Sequence, residues 1–180
     1  MMICAVVGPQ PLCFRFKYDE HNNGCKRLKK RIRDRIMLLY AQGVHRFYII
    51  GSLGVGLWTG EIILRLKEQP EYSGIELFTV LPFAGHDMDW DARSQHRLSF
   101  LIQHSTQAVT VGTNAHPAAV NYHKCNEWIA NSADCLLAVY DSSQDRRTGV
   151  GAIVRIAEQR GVPVTLIHPD TAVVSCLQNA

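Results

Sequence analysis

The chain has no apolar run approaching the roughly 18–20 residues that span a bilayer, and its opening, Met-Met-Ile-Cys-Ala-Val-Val, carries no basic n-region. The expectation is a cytoplasmic protein that makes no membrane contact. The six cysteines, at 4, 13, 25, 125, 135 and 176, form no C-x-x-C pair and no Cys/His set at zinc-finger spacing. Reduced, mostly structural thiols follow, and Cys4 and Cys135 fall in apolar runs where a thiol behaves as a small hydrophobe. The eight histidines contain no H-E-x-x-H and no serine stands in a G-x-S-x-G elbow, so zincin and serine-hydrolase chemistry lack support. No internal repeat, low-complexity tract or linker interrupts the chain. One domain is expected, large enough to bury about 70% of its unfolded surface without disulfide or metal staples.

Charge of neither sign dominates, with 19 Lys/Arg against 16 Asp/Glu, but the distribution is uneven. Residues 1–50 hold ten Lys/Arg and three acids, a local balance of +7 in a chain of net +3, which leaves −4 for the remainder. Such asymmetry can mark an acidic partner. The basic residues concentrate at Lys26, Lys29, Lys30 and Arg33 on one face of a helical pattern over residues 25–42, whose opposite face is Leu28, Ile32, Ile36 and Leu39. That face reads first as solvated helix surface and second as a weak nucleic-acid footprint. Aromatic residues do not interleave it, so a single-strand stacking platform is not supported.

What the chain does have is a repeated alternation of short apolar runs with helical periods. Runs at 2–7, 46–50, 75–81, 108–111, 134–140 and 162–167 read as strands. Most are followed by helical patterns: residues 25–42, a helix through about Lys67, one capped by Asp89 or Asp91 with Leu98, Leu101 and Ile102 inside, then residues 116–130 and 148–161. Residues 12–24 lack a period and are expected to loop back over the sheet edge, with Arg15, Lys17 and Tyr18 in reach of a ligand; residues 170–177 are expected to end the chain as a short helix. Six strands with helical crossovers imply an α/β, Rossmann-like, doubly wound and mostly parallel sheet with helices on both faces.

Residues 47–64, FYIIGSLGVGLWTGEIIL, are the most informative stretch: a β-branched run, a turn with Gly51, Gly54 and Gly56, then a helical pattern. A strand–glycine–helix junction lies at the carboxyl end of a parallel sheet, where helix N-termini gather anions. The same edge should hold Gly8-Pro9-Gln10, Pro82-Phe83, Asp141 and a second glycine-opened helix at Thr148, Gly149 and Gly151. Neither glycine stretch is G-x-G-x-x-G, and glycine also serves tight turns and close helix–strand packing. Two of them on one edge favour a phosphate- or nucleotide-type ligand. The HDMDWD run, with His86, Asp87, Asp89 and Asp91, is explained by capping ahead of a helix; no metal and no cofactor are expected.

GSLGVGLWTGE resembles the G-x-x-x-G-x-x-x-W-x-x-E signature of the YpsA-like proteins, a branch of the SLOG superfamily that includes Lonely-Guy-type phosphoribohydrolases and the Rossmann domain of DprA. The likeness extends over nearly the whole chain: Gly8 and Pro11, then Gly51, Gly54, Trp58 and Glu61, then Pro82-Phe83 with Trp90, then Lys124 and Asn126, then Gly149 and Ala157. The resemblance implies a Rossmann-like fold, self-association, and a nucleotide-derived ligand at the glycine edge, contacted by Ser52, Trp58, Lys124 and Asn126 among others. This chain departs from the pattern at Gln10, where the family usually has a base, at Gly56, where it has an acid, at Cys125, where it has Arg, and at Thr148-Gly149-Val150 in place of G-G-T. The phosphoribohydrolases of the superfamily use P-G-G-x-G-T-x-x-E; here Val150, Gly151, Ala152 and Ile153 supply no carboxylate, and Glu158 lies roughly two turns further on.

Three functions remain from the sequence. The leading one is a binder of an ADP-ribose- or AMP-like molecule acting as sensor, carrier or sequestering protein. The alternative is a hydrolase cleaving an N-glycosidic or phosphoester bond with Glu61 or Asp141 as acid/base, and the third is nucleic-acid binding through the basic helix. For Glu61 a structural carboxylate, and for Asp141 a turn cap, are the competing readings. For Trp58 the competing reading is core.

Overall fold

Alternation within the first strand divides the interior in two. In the computed structural model, which describes residues 1–147 and 149–177, Cys4 and Val6 of β1 (Met2–Val7) enter one apolar layer, while Ala5 and Val7 enter the other. A strand covered on both faces must be apolar at successive positions, which is why this run shows no polar alternation. The first layer is filled from α1 (Asn23–Ala41), α2 (Val55–Lys67) and α3 (Ala92–His104). The second layer is filled from α4 (Ala118–Ser132) and α5 (Gly149–Gln159).

The other strands are β2 (Val44–Ile50), β3 (Glu76–Leu81), β4 (Gln107–Thr110), β5 (Cys135–Val139), β6 (Val164–Ile167) and β7 (Val174–Leu177). Among the described residues they form one seven-stranded sheet in the order β4-β3-β2-β1-β5-β6-β7. Every pairing is parallel except β6 with β7. The chain winds from β1 outward through β2, β3 and β4, then returns at β5 to the other side of β1. That reversal makes a Rossmann-like, doubly wound sheet with its crevice between β1 and β5.

Local chemistry sets the helix ends. Asn22 caps α1 by accepting a hydrogen bond from the Gly24 N–H at 2.8 Å, and Leu28, Ile32 and Ile36 of that helix are fully buried. Asp91 caps α3 by accepting from the Ser94 N–H at 3.0 Å, which gives the last of the three acids in the HDMDWD run a structural role. No helix among the described residues is long and apolar enough to cross a membrane.

Two expectations are corrected. Residues 170–177 do not form a short helix: residues 168–173 turn back with Ala172 at φ +55°, and Val174–Leu177 form β7, antiparallel to β6. An isolated helix of this length is marginal, whereas adding Val174–Leu177 to the sheet satisfies backbone groups along β6 that would otherwise be an open edge. Residues 12–24 do not cover a sheet edge either, because β1 is central. Instead Phe14 and Phe16 stack at 4.9 Å between ring centroids and pack on Trp58 of α2 at 5.4 and 6.0 Å.

Candidate functional site

The crevice at the carboxyl ends of β1 and β5 opens into a cleft of ≈ 470 Å³. Its β1 side is the turn Gly8, Pro9, Gln10 with Leu12 and Cys13; its β5 side is Tyr140 and Asp141; its far wall is the start of α5 at Gly149, Val150 and Gly151. Ser52 contributes from the glycine turn after β2, Pro169 from the loop after β6, and Tyr122 from α4. Seven of the sequence-predicted residues therefore meet here: Gly8, Pro9, Gln10, Ser52, Asp141, Gly149 and Gly151. Thr148 lies outside the described residues.

Asp141 is anchored as well as available. Its Oδ1 accepts from the Ser143 N–H at 2.9 Å, which closes the turn after β5, and its Oδ2 is 3.7 Å from His168 Nε2. The Ser143 hydrogen bonds, with His168 nearby, hold the carboxyl below the usual aspartate range. The ring of His168 is oriented by the chain itself, since its Nδ1 accepts from the N–H groups of Asp170 at 3.2 Å and Thr171 at 3.4 Å. Asp145, the other acid on the cleft, is paired with Arg147.

The glycine turn after β2 behaves differently from an open phosphate cradle. Gly54 has φ +82°, and a Cβ there would lie 2.6 Å from the Pro9 carbonyl oxygen. A Cβ on Gly56 would lie 2.0 Å from the Ile50 carbonyl oxygen, so the start of α2 is closed onto the end of β2. The Val55 N–H points back to Pro9 O and the Leu57 N–H donates to Ser52 O at 3.0 Å. Gly51 accepts a hydrogen bond of 2.6 Å at its carbonyl from His86 Nε2. Most of this turn is spent packing β2 against the β1 turn, and only Ser52 reaches the cleft.

Glu61 and Trp58 stand elsewhere. They line a separate groove of ≈ 600 Å³ between α2, α3 and the loop of residues 12–22, together with Glu20, Lys29 and Arg97. Arg97 donates to Glu61 through Nε at 2.6 Å and Nη2 at 2.8 Å, and to Glu20 through Nη1 at 2.7 Å and Nη2 at 3.2 Å. Lys29 reaches Glu20 at 2.5 Å and lies 5.3 Å from the centroid of Trp58. Trp58 is 1% exposed beneath Phe14 and Phe16, so its indole belongs to the core. Burial alone would push the Glu20 carboxyl up; hydrogen bonds and charge from Arg97 and Lys29 outweigh it and bring it to about 2. Hydrogen bonding to Glu61 and Glu20 raises the Arg97 guanidinium further still. The network clamps the loop onto α2, and it takes Lys29 out of the solvated basic face.

Lys124 and Asn126 are half-buried on α4 without lining the cleft. Pro82 is buried, and Phe83 stands behind the cleft with its ring centroid 6.4 Å from that of Tyr122. Glu158 pairs with Arg146. Burial pushes the thiols of Cys25 and Cys125 up to about 11 and about 12, which removes them as nucleophiles near neutrality.

Sequence reasoning missed Leu12, Cys13, Tyr122, Tyr140 and Pro169 as cleft residues. Tyr140 ends the β5 run and was findable as such. Tyr122 had a weaker signal: with Asn121, Cys125 and Ile129 buried at four-residue spacing, the neighbouring position sits at the boundary of the buried face.

Comparison with known proteins fits this architecture. The family model YpsA, described as the YspA SLOG family, matches residues 4–172. The chain is 25% identical over 161 residues to a UPF0398 protein of Bacillus cereus (strain AH820), a match covering 89% of this chain and 85% of that protein. It is also 25% identical over 118 residues to UPF0398 proteins of Staphylococcus aureus strains JH9 and COL, covering 66% of this chain and 62% of each of theirs, less than two thirds of the staphylococcal length. With the family model spanning nearly all of the chain, from Cys4 within β1 to the turn before β7, the chain belongs to the YpsA family of SLOG proteins.

Proposed function

We propose that the β1/β5 cleft binds a nucleotide or nucleotide-derived small molecule of the AMP or ADP-ribose kind, and that the protein serves as a cytoplasmic sensor, carrier or sequestering protein for it. The observation that carries this reading is the convergence, at the switch point of the sheet, of the Gly8–Gln10 turn, the glycine-opened start of α5 and the Asp141 carboxylate on one cleft. First-turn N–H groups of a helix suit phosphate oxygens, an ionised aspartate accepts from ribose hydroxyls, and ≈ 470 Å³ lies within the range of small-molecule sites. Family membership supports the same reading at the level of the fold.

Binding is preferred over hydrolysis because the cleft offers little acid/base chemistry. Glu61 is held by Arg97 in the other groove, Glu158 is paired with Arg146, and Asp141, held below the usual aspartate range by the Ser143 hydrogen bonds, suits an acceptor and not a general acid. A general acid must come within hydrogen-bond reach of the scissile group. Thermal unfolding in the presence of AMP, ADP, ADP-ribose and a dinucleotide tests the proposal. At least one should raise the melting temperature in a concentration-dependent way. An unchanged melting temperature with every member at millimolar concentration would speak against the reading.

A further inference from the structure

The cleft has a wall whose rigidity the proposed function leaves unexplained. Tyr122 lines it from the second turn of α4, and its ring meets that of Phe83 at 89° with centroids 6.4 Å apart. Phe83 in turn meets His86 at 72° and 6.0 Å, and His86 is fixed by its 2.6 Å hydrogen bond to Gly51 O and by Trp90 at 84° and 5.4 Å. Two successive edge-to-face contacts and the His86 hydrogen bond to Gly51 thus tie the Tyr122 ring to the turn after β2. Such contacts hold ring orientation more tightly than aliphatic packing does.

The backbone under Tyr122 is tied down as well. Its neighbour Asn121 is fully buried, donates from Nδ2 to the carbonyls of Thr113 at 2.9 Å and His116 at 3.2 Å, and accepts from the Thr113 N–H at 3.2 Å. A buried side-chain amide satisfied this way fixes the first turns of α4 against the loop before it. Burial raises the Tyr122 hydroxyl above its ordinary value, so the ring stays neutral. On the β1 side, Leu12 lines the same cleft while 65% exposed, an apolar surface left to solvent inside a concave site. The cleft lining therefore combines two chemistries: aromatic and apolar groups such as Tyr122 and Leu12, and the backbone of Gly149 and Gly151 with the Asp141 carboxylate.

We infer that Tyr122 is the base-stacking, specificity-determining residue of this cleft, and that the ligand class is a nucleoside phosphate with an intact aromatic base, as opposed to a sugar phosphate or a polyphosphate. The inference rests on the nucleotide reading above and adds to it which part of the ligand the protein selects. Base-to-aromatic stacking tolerates any base and is worth on the order of 1–3 kcal/mol per base on alanine substitution, about five- to 150-fold in affinity. Tyr140, the other aromatic residue on the cleft, is buried with its hydroxyl donating to Gln144 O, so discrimination between a nucleotide and its base-free fragment should fall on the Tyr122 ring.

Calorimetric titration of AMP, ADP-ribose, ribose 5-phosphate and pyrophosphate into wild type, Tyr122→Phe, Tyr122→Leu and Tyr122→Ala tests it. The expected result is that AMP or ADP-ribose binds wild type and Tyr122→Phe alike and loses about ten-fold or more in Tyr122→Leu and Tyr122→Ala, and that ribose 5-phosphate and pyrophosphate bind more weakly than nucleotide does to wild type, each with equal affinity for all four proteins. Tyr122→Leu retains an apolar side chain of similar bulk, so a loss shared by both variants with unchanged melting temperature reports the ring itself. Nucleotide binding that survives both variants unchanged overturns the role of Tyr122 and leaves the nucleotide reading intact. So does an equal loss for nucleotide and ribose 5-phosphate. Absence of nucleotide binding to wild type overturns both.

Discussion

Arg97 grips Glu61 with two parallel hydrogen bonds, Nε to Oε1 at 2.6 Å and Nη2 to Oε2 at 2.8 Å, and with its remaining Nη1 it reaches Glu20 at 2.7 Å. This three-way pairing joins α2, α3 and the loop that continues into the cleft residues Leu12 and Cys13. The W-x-x-E half of the glycine signature is thereby a loop anchor: Trp58 receives Phe14 and Phe16, and Glu61 orients the arginine that holds Glu20.

Glu61→Gln should therefore weaken the fold and spare the cleft. It removes one charge from a bidentate pair whose arginine is only 20% exposed, at a cost of about 1–3 kcal/mol. Chemical denaturation should show that loss, while nucleotide affinity of the folded variant stays within about two-fold. Complete loss of binding by a folded Glu61→Gln protein would place Glu61 in the site after all.

Acid stability reports the same network. The Glu20 carboxyl is lowered from 4.5 to about 2, so its contribution is fully present above about pH 4.5 and is lost as pH falls through about 2. Unfolding free energy measured between pH 6 and pH 2 should decline more steeply in wild type than in Glu20→Gln. The two curves should converge toward the acid end. Parallel curves would mean that Glu20 gains nothing from Arg97 and Lys29 in the folded state.

Gly54→Ala should destabilise strongly. An L side chain at φ +82° is strained, and its Cβ would sit 2.6 Å from the Pro9 carbonyl oxygen. Backbone strain of this kind costs about 1–3 kcal/mol before the clash is added. A melting temperature within a degree of wild type would show that the turn can open without cost.

Two exposed thiols allow the cleft to be read chemically. Cys13 lines the cleft and Cys176 lies on β7 outside it; both are free and exposed. Saturating nucleotide should slow alkylation of Cys13 several-fold and leave Cys176 unchanged, as followed by peptide mass spectrometry. Equal rates with and without nucleotide would place the ligand away from the β1 turn.

Most of the sheet was legible because buried parallel strands are apolar at every position, as in the 2–7 and 135–139 runs, and because Asp91 and Asn22 are ordinary caps. Strand β7 was not, since Val-Ser-Cys-Leu has neither strand alternation nor helical length and is defined by its pairing with β6. Half of the candidate site followed from the positions of strand ends, which is how Gly8, Gln10, Asp141 and Gly149 come together. The remainder depended on packing. A glycine turn reads the same whether its open space admits a phosphate or a neighbouring carbonyl; at Gly54, Gly56 and Gly151 the neighbours are Pro9 O, Ile50 O and Asp145 O, while Gly149 meets nothing within 4 Å among the described residues. Glu61 falls in another groove because it is one turn beyond Trp58, on the side of α2 that faces Arg97.

The location of the ligand is the central claim, and a crystal grown with ADP-ribose or AMP tests it most directly. Difference density should appear in the β1/β5 cleft, with phosphate oxygens at the Gly149–Gly151 end, a ribose hydroxyl at Asp141 and the base against Tyr122. Density in the groove between α2 and α3, around Arg97 and Glu61, would contradict it.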